Sequence, residues 1–184
     1  SSLKQSHRLS DIIDPVSVRA IVWACPLYSS PHSSSTSLIA FAGGMVFGSL
    51  YGASLGALVM LANGFLSPYG FAGIVMPFQI AGMGLIGTAG GLYKRINGNV
   101  WGFGRFGEAA VLGAFLTFIY DVLTNLGTAV SLTISMPLLE AIVTALVWGA
   151  VPMAIHVLWN TALFGLVTVP LVNAMHRIVA LGGE

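Results

Sequence analysis

Asp121 and Asn125 stand four residues apart in an otherwise apolar run, FIYDVLTNLGT, and His156 and Asn160 stand four apart in a second one, HVLWN. A spacing of four puts two side chains on one face of a helix, a turn apart. A carboxylate, two carboxamides and an imidazole can between them accept and donate several hydrogen bonds, and the carboxylate can also balance a positive group. That inventory suits recognition of a polar solute. For covalent chemistry the best pattern is GASLG, Gly52 to Gly56, which fits the G-x-S-x-G elbow of serine hydrolases. With Ser54 as nucleophile and His156 as base it would make an intramembrane serine hydrolase. The elbow needs a strand before its serine, and no strand pattern precedes this one, so the hydrolase stands as one alternative reading. The other is a ligand-free membrane scaffold subunit, in which these polar groups satisfy one another across helices.

Other chemistry finds less footing. GMGLIG, Gly82 to Gly87, matches the dinucleotide pattern G-x-G-x-x-G, but it lies inside an apolar helical run where close helix packing explains the glycines. His7, His32, His156 and His176 are scattered without metal-ligand spacing, no P-loop occurs, and the single cysteine, Cys25, forms no intrachain disulfide. No cofactor and no metal is expected. The net charge of +1 gives no reason to expect nucleic acid as a partner.

The elements that must carry these side chains are membrane helices. Only 7% of the 184 residues are charged and 56% are hydrophobic. A soluble domain carries about 25% charged residues, so most of this chain's surface must face lipid. Glycine contributes 23 residues, in keeping with closely packed membrane helices. The opening stretch, SSLKQSHRLSDIID, lacks the apolar core of a cleavable signal peptide.

Six helical segments are expected. The first is short, from Val16 to Tyr28, and ends near Pro26. The run from Ser37 to Leu66 would be about 45 Å long as one helix, against about 30 Å of hydrocarbon, and is therefore broken near Gly48 and Ser49 into a second and a third. The fourth runs from Pro77 to Tyr93 and the fifth from Gly107 to Val130. The sixth runs from Leu138 to Asn173, with a kink expected at Pro152 and with ends lying in loops or along the interface. Merging the second and third and dropping the first would leave four spans of the same parity. In the six-helix reading residues 1–15 form a cytoplasmic N-terminal segment, 16–175 one transmembrane helical domain and 176–184 a cytoplasmic tail.

Charge sets the orientation. Lys4, Arg8 and Arg19 precede or open the first segment, Lys94, Arg95 and Arg105 lie between the fourth and fifth, and Arg177 follows the sixth. All fall on one side, which the positive-inside rule makes cytoplasmic, with both termini there. The other loops, YSSPHSSSTS, SPYGFAG and SLTISMP, are polar and uncharged. Thr117, Asp121, Thr124, Asn125 and Thr128 fall within about a third of the fifth segment's circumference. Fourteen residues from Gly107 bring Asp121 about 21 Å up, into the outer half. A carboxylate near the bilayer centre costs about 2.5 kcal/mol or more, so the stripe must face the bundle or a wet cavity. His156 and Asn160, with Gln79 at the start of the fourth segment, are its natural partners, and Tyr69, Phe71 and Phe78 add aromatic surface.

These residues resemble a known family. MVFGSLYGASLGALVMLANGFLSPYGFAGIVMPFQIAGMGLIGTAGGLYKR is similar to the substrate-binding S components of energy-coupling factor (ECF) vitamin transporters. Their FGP-x-x-G-like junction appears as Phe47-Gly48-Ser49 with Gly52, with Ser49 in place of the proline. Their P-F/W-Q opening appears as Pro77-Phe78-Gln79, followed by Gly84, Gly87, Gly90 and Gly91. YDVLTN and HVLWNTALFGLVTVPLV look like that family's fifth and sixth helices, so the resemblance covers Ser37 to Met175. It implies an all-α integral membrane protein, a six-helix bundle with a short first helix, in a prokaryotic cell (inner) membrane. Such a protein is not an enzyme. It binds a vitamin on its outer side, docks on a transmembrane T component driven by two cytoplasmic ATPases, and reorients to release its substrate. The family's first helix carries small residues for that docking, which here would be Ala20 and Ala24. Gln79, Tyr120, Asp121, Asn125, His156, Trp159 and Asn160 are expected to bind the substrate, the polar groups reading its edges and Tyr120 or Trp159 stacking on a ring.

Overall fold

The structure is a computed structural model, and it describes residues 31–66, 73–98 and 103–181. The expected first segment, with Ala20 and Ala24, lies outside those residues, as do Tyr69 and Phe71. Among the described residues the fold is all-helical, with five α-helices: α1 Pro31–Phe47, α2 Ser49–Leu66, α3 Met76–Asn97, α4 Phe106–Leu132 and α5 Leu138–Leu181. Single 3-10 turns, Gly73–Val75 and Phe103–Arg105, lead into α3 and α4.

The long apolar run does break at Gly48. One residue separates α1 from α2, and it has φ of 103°, a backbone conformation that side-chain-bearing residues rarely adopt. The Gly48 N–H bonds Gly44 O and its own carbonyl accepts from Gly52 N, so the corner loses few backbone bonds. Both short helices then pack on α3. The glycines that recur every four residues lie along this seam rather than along one straight helix. A Cβ built on Gly87 would lie 2.0 Å from the carbonyl oxygen of Gly52, and one on Gly44 would lie 2.0 Å from that of Gly87. Backbone meets backbone there. Lipid tails are as apolar as leucine, so such close van der Waals packing is what holds membrane helices together. GMGLIG is part of the same helix, α3, with Gly82 against the Tyr120 ring.

Pro77 sits in the first turn of α3, where a missing N–H costs nothing, and Gly98 caps the helix with its N–H on Lys94 O. α4 and α5 form an antiparallel hairpin. The turn between them is closed by Ser135 and Met136 N–H groups on Leu132 O, and Pro137 O accepts the first bond from Ala141. The main core joins Phe41 and Met45 of α1, Met83 and Ile86 of α3, and Phe164 and Val172 of α5. The Phe41 ring packs against Phe164 at 5.4 Å and Tyr93 at 6.3 Å between centroids. A smaller cluster, Ala129, Ala141 and Ala145, joins the hairpin near its turn.

Three helical stretches, Gly73–Asn97, Phe106–Leu132 and Leu138–Ile178, are long and apolar enough to cross a membrane, which points to a multi-pass membrane protein. α1 and α2, at 17 and 18 residues, would each be about 26 Å, a little short of the hydrocarbon thickness. The last segment runs farther than expected: it does not stop at Asn173, and α5 is one continuous helix of 44 residues that passes through Pro152 and Pro170. At 1.5 Å per residue it is about 66 Å long, twice the hydrocarbon thickness. Each proline removes a single backbone bond, which membrane helices tolerate, and packing on α4 and then α1 carries α5 past both.

Candidate functional site

The register of the α4–α5 hairpin brings the two polar pairs together. Gly113 lies against Phe164, whose Cβ would be 2.5 Å from a side chain built on the glycine. Asp121 Oδ1 lies 2.8 Å from His156 Nδ1. Farther toward the turn, Gly149 lets the Asn125 amide lie where its own Cβ would be, 2.3 Å from Asn125 Oδ1. Numbers rise on one helix as they fall on the other. Thr117 and Asn160 therefore occupy the register position midway between Gly113–Phe164 and Asp121–His156. Four polar side chains make a ladder of two rungs, Asp121 with His156 and Thr117 with Asn160.

The ladder is buried. The side chains of His156 and Asp121 are 7% and 12% exposed, Thr117 and Asn160 1% and 0%. A carboxylate accepts only, so the imidazole Nδ1–H donates to it. Beyond that bond the hydrogen-bonding capacity is unmet. Asp121 Oδ2, His156 Nε2, Thr117 Oγ1 and both amide atoms of Asn160 are enclosed and have no partner. Buried polar atoms are nearly always paired, and in lipid each unpaired one costs several kcal/mol. Five such atoms over two turns of a helix pair mark a place built to meet something polar.

The other expected residues divide. Tyr120 is buried, its hydroxyl directed at Met60 Sδ 3.8 Å away and its ring edge-on to His156 at 6.1 Å, so it walls the ladder on the α3 side. Phe78 packs on Gly127 and Gly82 on Tyr120, which places buried Gln79 of α3 at the height of the stripe. Asn125 borders the ladder one turn above Asp121. Trp159 is 55% exposed and lies on the outside of α5, away from the other site residues. At 100° per residue its position next to Asn160 turns it off the inward face. Thr124 and Thr128 bond carbonyls of their own helix, Tyr120 O at 3.0 Å and Thr124 O at 3.2 Å, so much of the stripe's polarity is spent locally. Thr117, a stripe residue not singled out beforehand, belongs to the ladder itself.

Ser54 is exposed on α2, which packs on α1 and α3. His156 already engages Asp121, and among the described residues no hydrogen bond joins Ser54 to it. No group of three or more potential metal ligands occurs among the described residues.

All the described basic residues gather at the opposite end of the bundle. Lys94 Nζ bonds Val46 O at 2.9 Å, and Arg105 reaches both Tyr93 Oη at 3.1 Å and Glu108 Oε2 at 3.0 Å. The Tyr93 hydroxyl donates to Glu108 as well. This network was not anticipated, although Arg105 and Glu108 have the i, i+3 spacing of a helical ion pair. It borders an open groove of about 420 Å³ lined by Tyr93, Gly107, Glu108, Val111 and Leu112. Thirteen residues separate Glu108 from Asp121, so this groove lies about 20 Å along α4 from the ladder. Comparison with protein-family models, with curated proteins and with solved structures finds no match to this chain.

Proposed function

We propose that this chain is the solute-binding membrane subunit of an ECF-type importer, taking up a vitamin or related micronutrient at the outer face of a prokaryotic cell membrane. In this reading the bundle has six helices with both termini cytoplasmic. A T component and two cytoplasmic ATPases supply the energy, since the chain has no P-loop of its own. The observation that carries the reading is the buried ladder of Thr117, Asp121, His156 and Asn160, with five polar atoms lacking a partner. A membrane helix pair held together only by packing has no use for them. The ladder lies near the middle of the 27-residue α4, with Thr117 about 16 Å and Asp121 about 22 Å from the basic end.

The test is native mass spectrometry of the detergent-purified chain for a retained small molecule, followed by equilibrium binding of the B vitamins. A vitamin should bind, and co-expression with a T component and ATPases should drive its uptake. No binding across the panel, with no copurifying solute, overturns the reading. The hydrolase alternative makes a different prediction, fluorophosphonate labelling lost in Ser54→Ala, and the exposed position of Ser54 away from His156 gives it little support.

A further inference from the structure

The ladder's unmet atoms have a chemical sense. Asp121 Oδ2 accepts only. With the neutral imidazole donating Nδ1–H to Asp121, His156 Nε2 carries a lone pair and also accepts. These two acceptors belong to one bonded pair and lie on the same rung. One turn away, Asn160 offers one carbonyl acceptor and two N–H donors, and Thr117 a hydroxyl that does either. No lysine or arginine occurs on α4 or α5 between Phe106 and His176, so nothing nearby neutralises the carboxylate. The site is thus rich in acceptors at one rung, with mixed capacity at the other.

We propose that Thr117, Asp121, His156 and Asn160 form a subsite for the N–H donor edge of a cationic or neutral nitrogen compound, of the amidine or amino-heterocycle class. Its N–H groups bond Asp121 Oδ2 and His156 Nε2, and its remaining nitrogen or oxygen is read by Asn160 and Thr117. A carboxylate is excluded, since it would present acceptors to acceptors. Tyr120, edge-on to His156, closes the α3 side with an aromatic wall. Access follows from α5 itself. Pro152 lies one turn from His156 toward the 133–137 turn and leaves the Trp148 carbonyl without its helical partner, and Gly149 adjoins it. Beyond this point α5 meets α4 through Gly149 on Asn125 and through the Ala129, Ala141 and Ala145 cluster with Leu132, Met136 and Ile142 packed on it, so bending at Pro152 would open the ladder without disturbing the main core.

This inference rests on the solute-binding reading and narrows its ligand. The test uses the full chain in lipid nanodiscs with three probes, benzamidine, 2-aminopyridine and benzoate, followed by isothermal titration and ligand-observed NMR. Benzamidine and 2-aminopyridine should bind, benzoate should not, and Asp121→Asn should weaken benzamidine by at least about tenfold, the size expected for a charge-assisted hydrogen bond. Asn160→Leu, which keeps the volume and removes the amide, should weaken 2-aminopyridine. If Asn160→Leu does not accumulate, Thr117→Val takes its place. Benzoate binding as well as benzamidine, no probe binding, or affinities unchanged in both variants would overturn the subsite. Vitamin uptake that persists unchanged in Asp121→Asn would sink the subsite and leave the importer. Probe binding in a chain that takes no vitamin would sink the importer and leave the subsite.

Discussion

The Asp121–His156 contact makes a prediction that depends on no ligand. Among the described residues His156 Nδ1, 2.8 Å away, is the carboxylate's hydrogen-bond partner, and the second oxygen is buried without one. Replacing His156 with leucine leaves both oxygens unsatisfied in a membrane interior. Breaking a buried pair from one side costs about 3–5 kcal/mol in soluble proteins. Polar contacts between membrane helices measure less, about 0.6 kcal/mol on average and up to about 1.7, because the unfolded helices find other partners in the membrane. An unpaired carboxylate should exceed that range, so His156→Leu is expected to cost about 3 kcal/mol. Asp121→Leu leaves a neutral imidazole with two unpaired nitrogens, for about 1–3 kcal/mol. The double variant removes both polar groups together and should cost clearly less than the sum of the two, giving a coupling of about 1.5–2 kcal/mol. Asp121→Asn keeps an oxygen facing Nδ1–H and should cost under about 1 kcal/mol. Unfolding by dodecyl sulfate in mixed lipid–detergent micelles measures all four. Additivity within about 0.5 kcal/mol, the scatter of independent sites, would mean that the two side chains do not meet and that the ladder's register is wrong.

The helix seam and the topology give three more. Gly87→Ala sets a methyl 2.0 Å from a backbone oxygen that cannot rotate away, and it should destabilise by at least about 1–3 kcal/mol in the same assay, while Gly104→Ala, with open space around it, should not. Gly48→Ala meets no neighbour, so its expected cost of about 1–3 kcal/mol comes from φ of 103° alone, and Gly48→Asn should recover part of it. In a Cys25→Ser background, a cysteine at Ser135 should react with a membrane-impermeant maleimide added outside intact cells and one at Arg95 only after lysis. The reverse pattern would invert the topology.

Much of the scaffold could be read from residue order because lipid imposes simple lengths. A run too long for one crossing, with glycine in its middle, marks the Gly48 corner, and Pro77 marks the start of α3 to within one residue. Pro152 and Pro170 stay inside the last segment as expected, but its end was not legible, because the helix runs on past the apolar stretch to Leu181 with no glycine or proline to stop it before Gly182. For the site, the spacing of four identified both inward-facing pairs but not which residue faces which. That register is set by Gly113 beneath Phe164 and Gly149 beneath Asn125, contacts between residues too far apart in sequence for any periodicity to show. Trp159 was misplaced because aromatic character, rather than helical angle, suggested it, and Thr117 was passed over because a lone threonine more often bonds its own helix, as Thr124 and Thr128 do.

The two ends of α5 are held by different means, and the ladder lies between them. Toward the basic end α5 presses Phe164, Val169 and Val172 into a core shared with α1 and α3, where glycines bring backbones into direct contact. Toward the 133–137 turn its buried contacts are Ala141 and Ala145 against Ala129, while Leu138, Leu139, Val143, Val147 and Trp148 are exposed. In lipid those exposed side chains provide no drive toward the protein, so only van der Waals contact and hydrogen bonds hold this arm, and small side chains make few contacts. The Asp121–His156 bond joins the Asn125–Gly149 contact and the alanine cluster in fixing the arm's position. A solute that takes up the free Asp121 oxygen and His156 Nε2 would compete with nothing in the core, yet it would bind at the joint where the arm meets it. Occupancy and arm position are coupled on this geometry to the extent that the solute bonds differ between the bent and straight forms of α5.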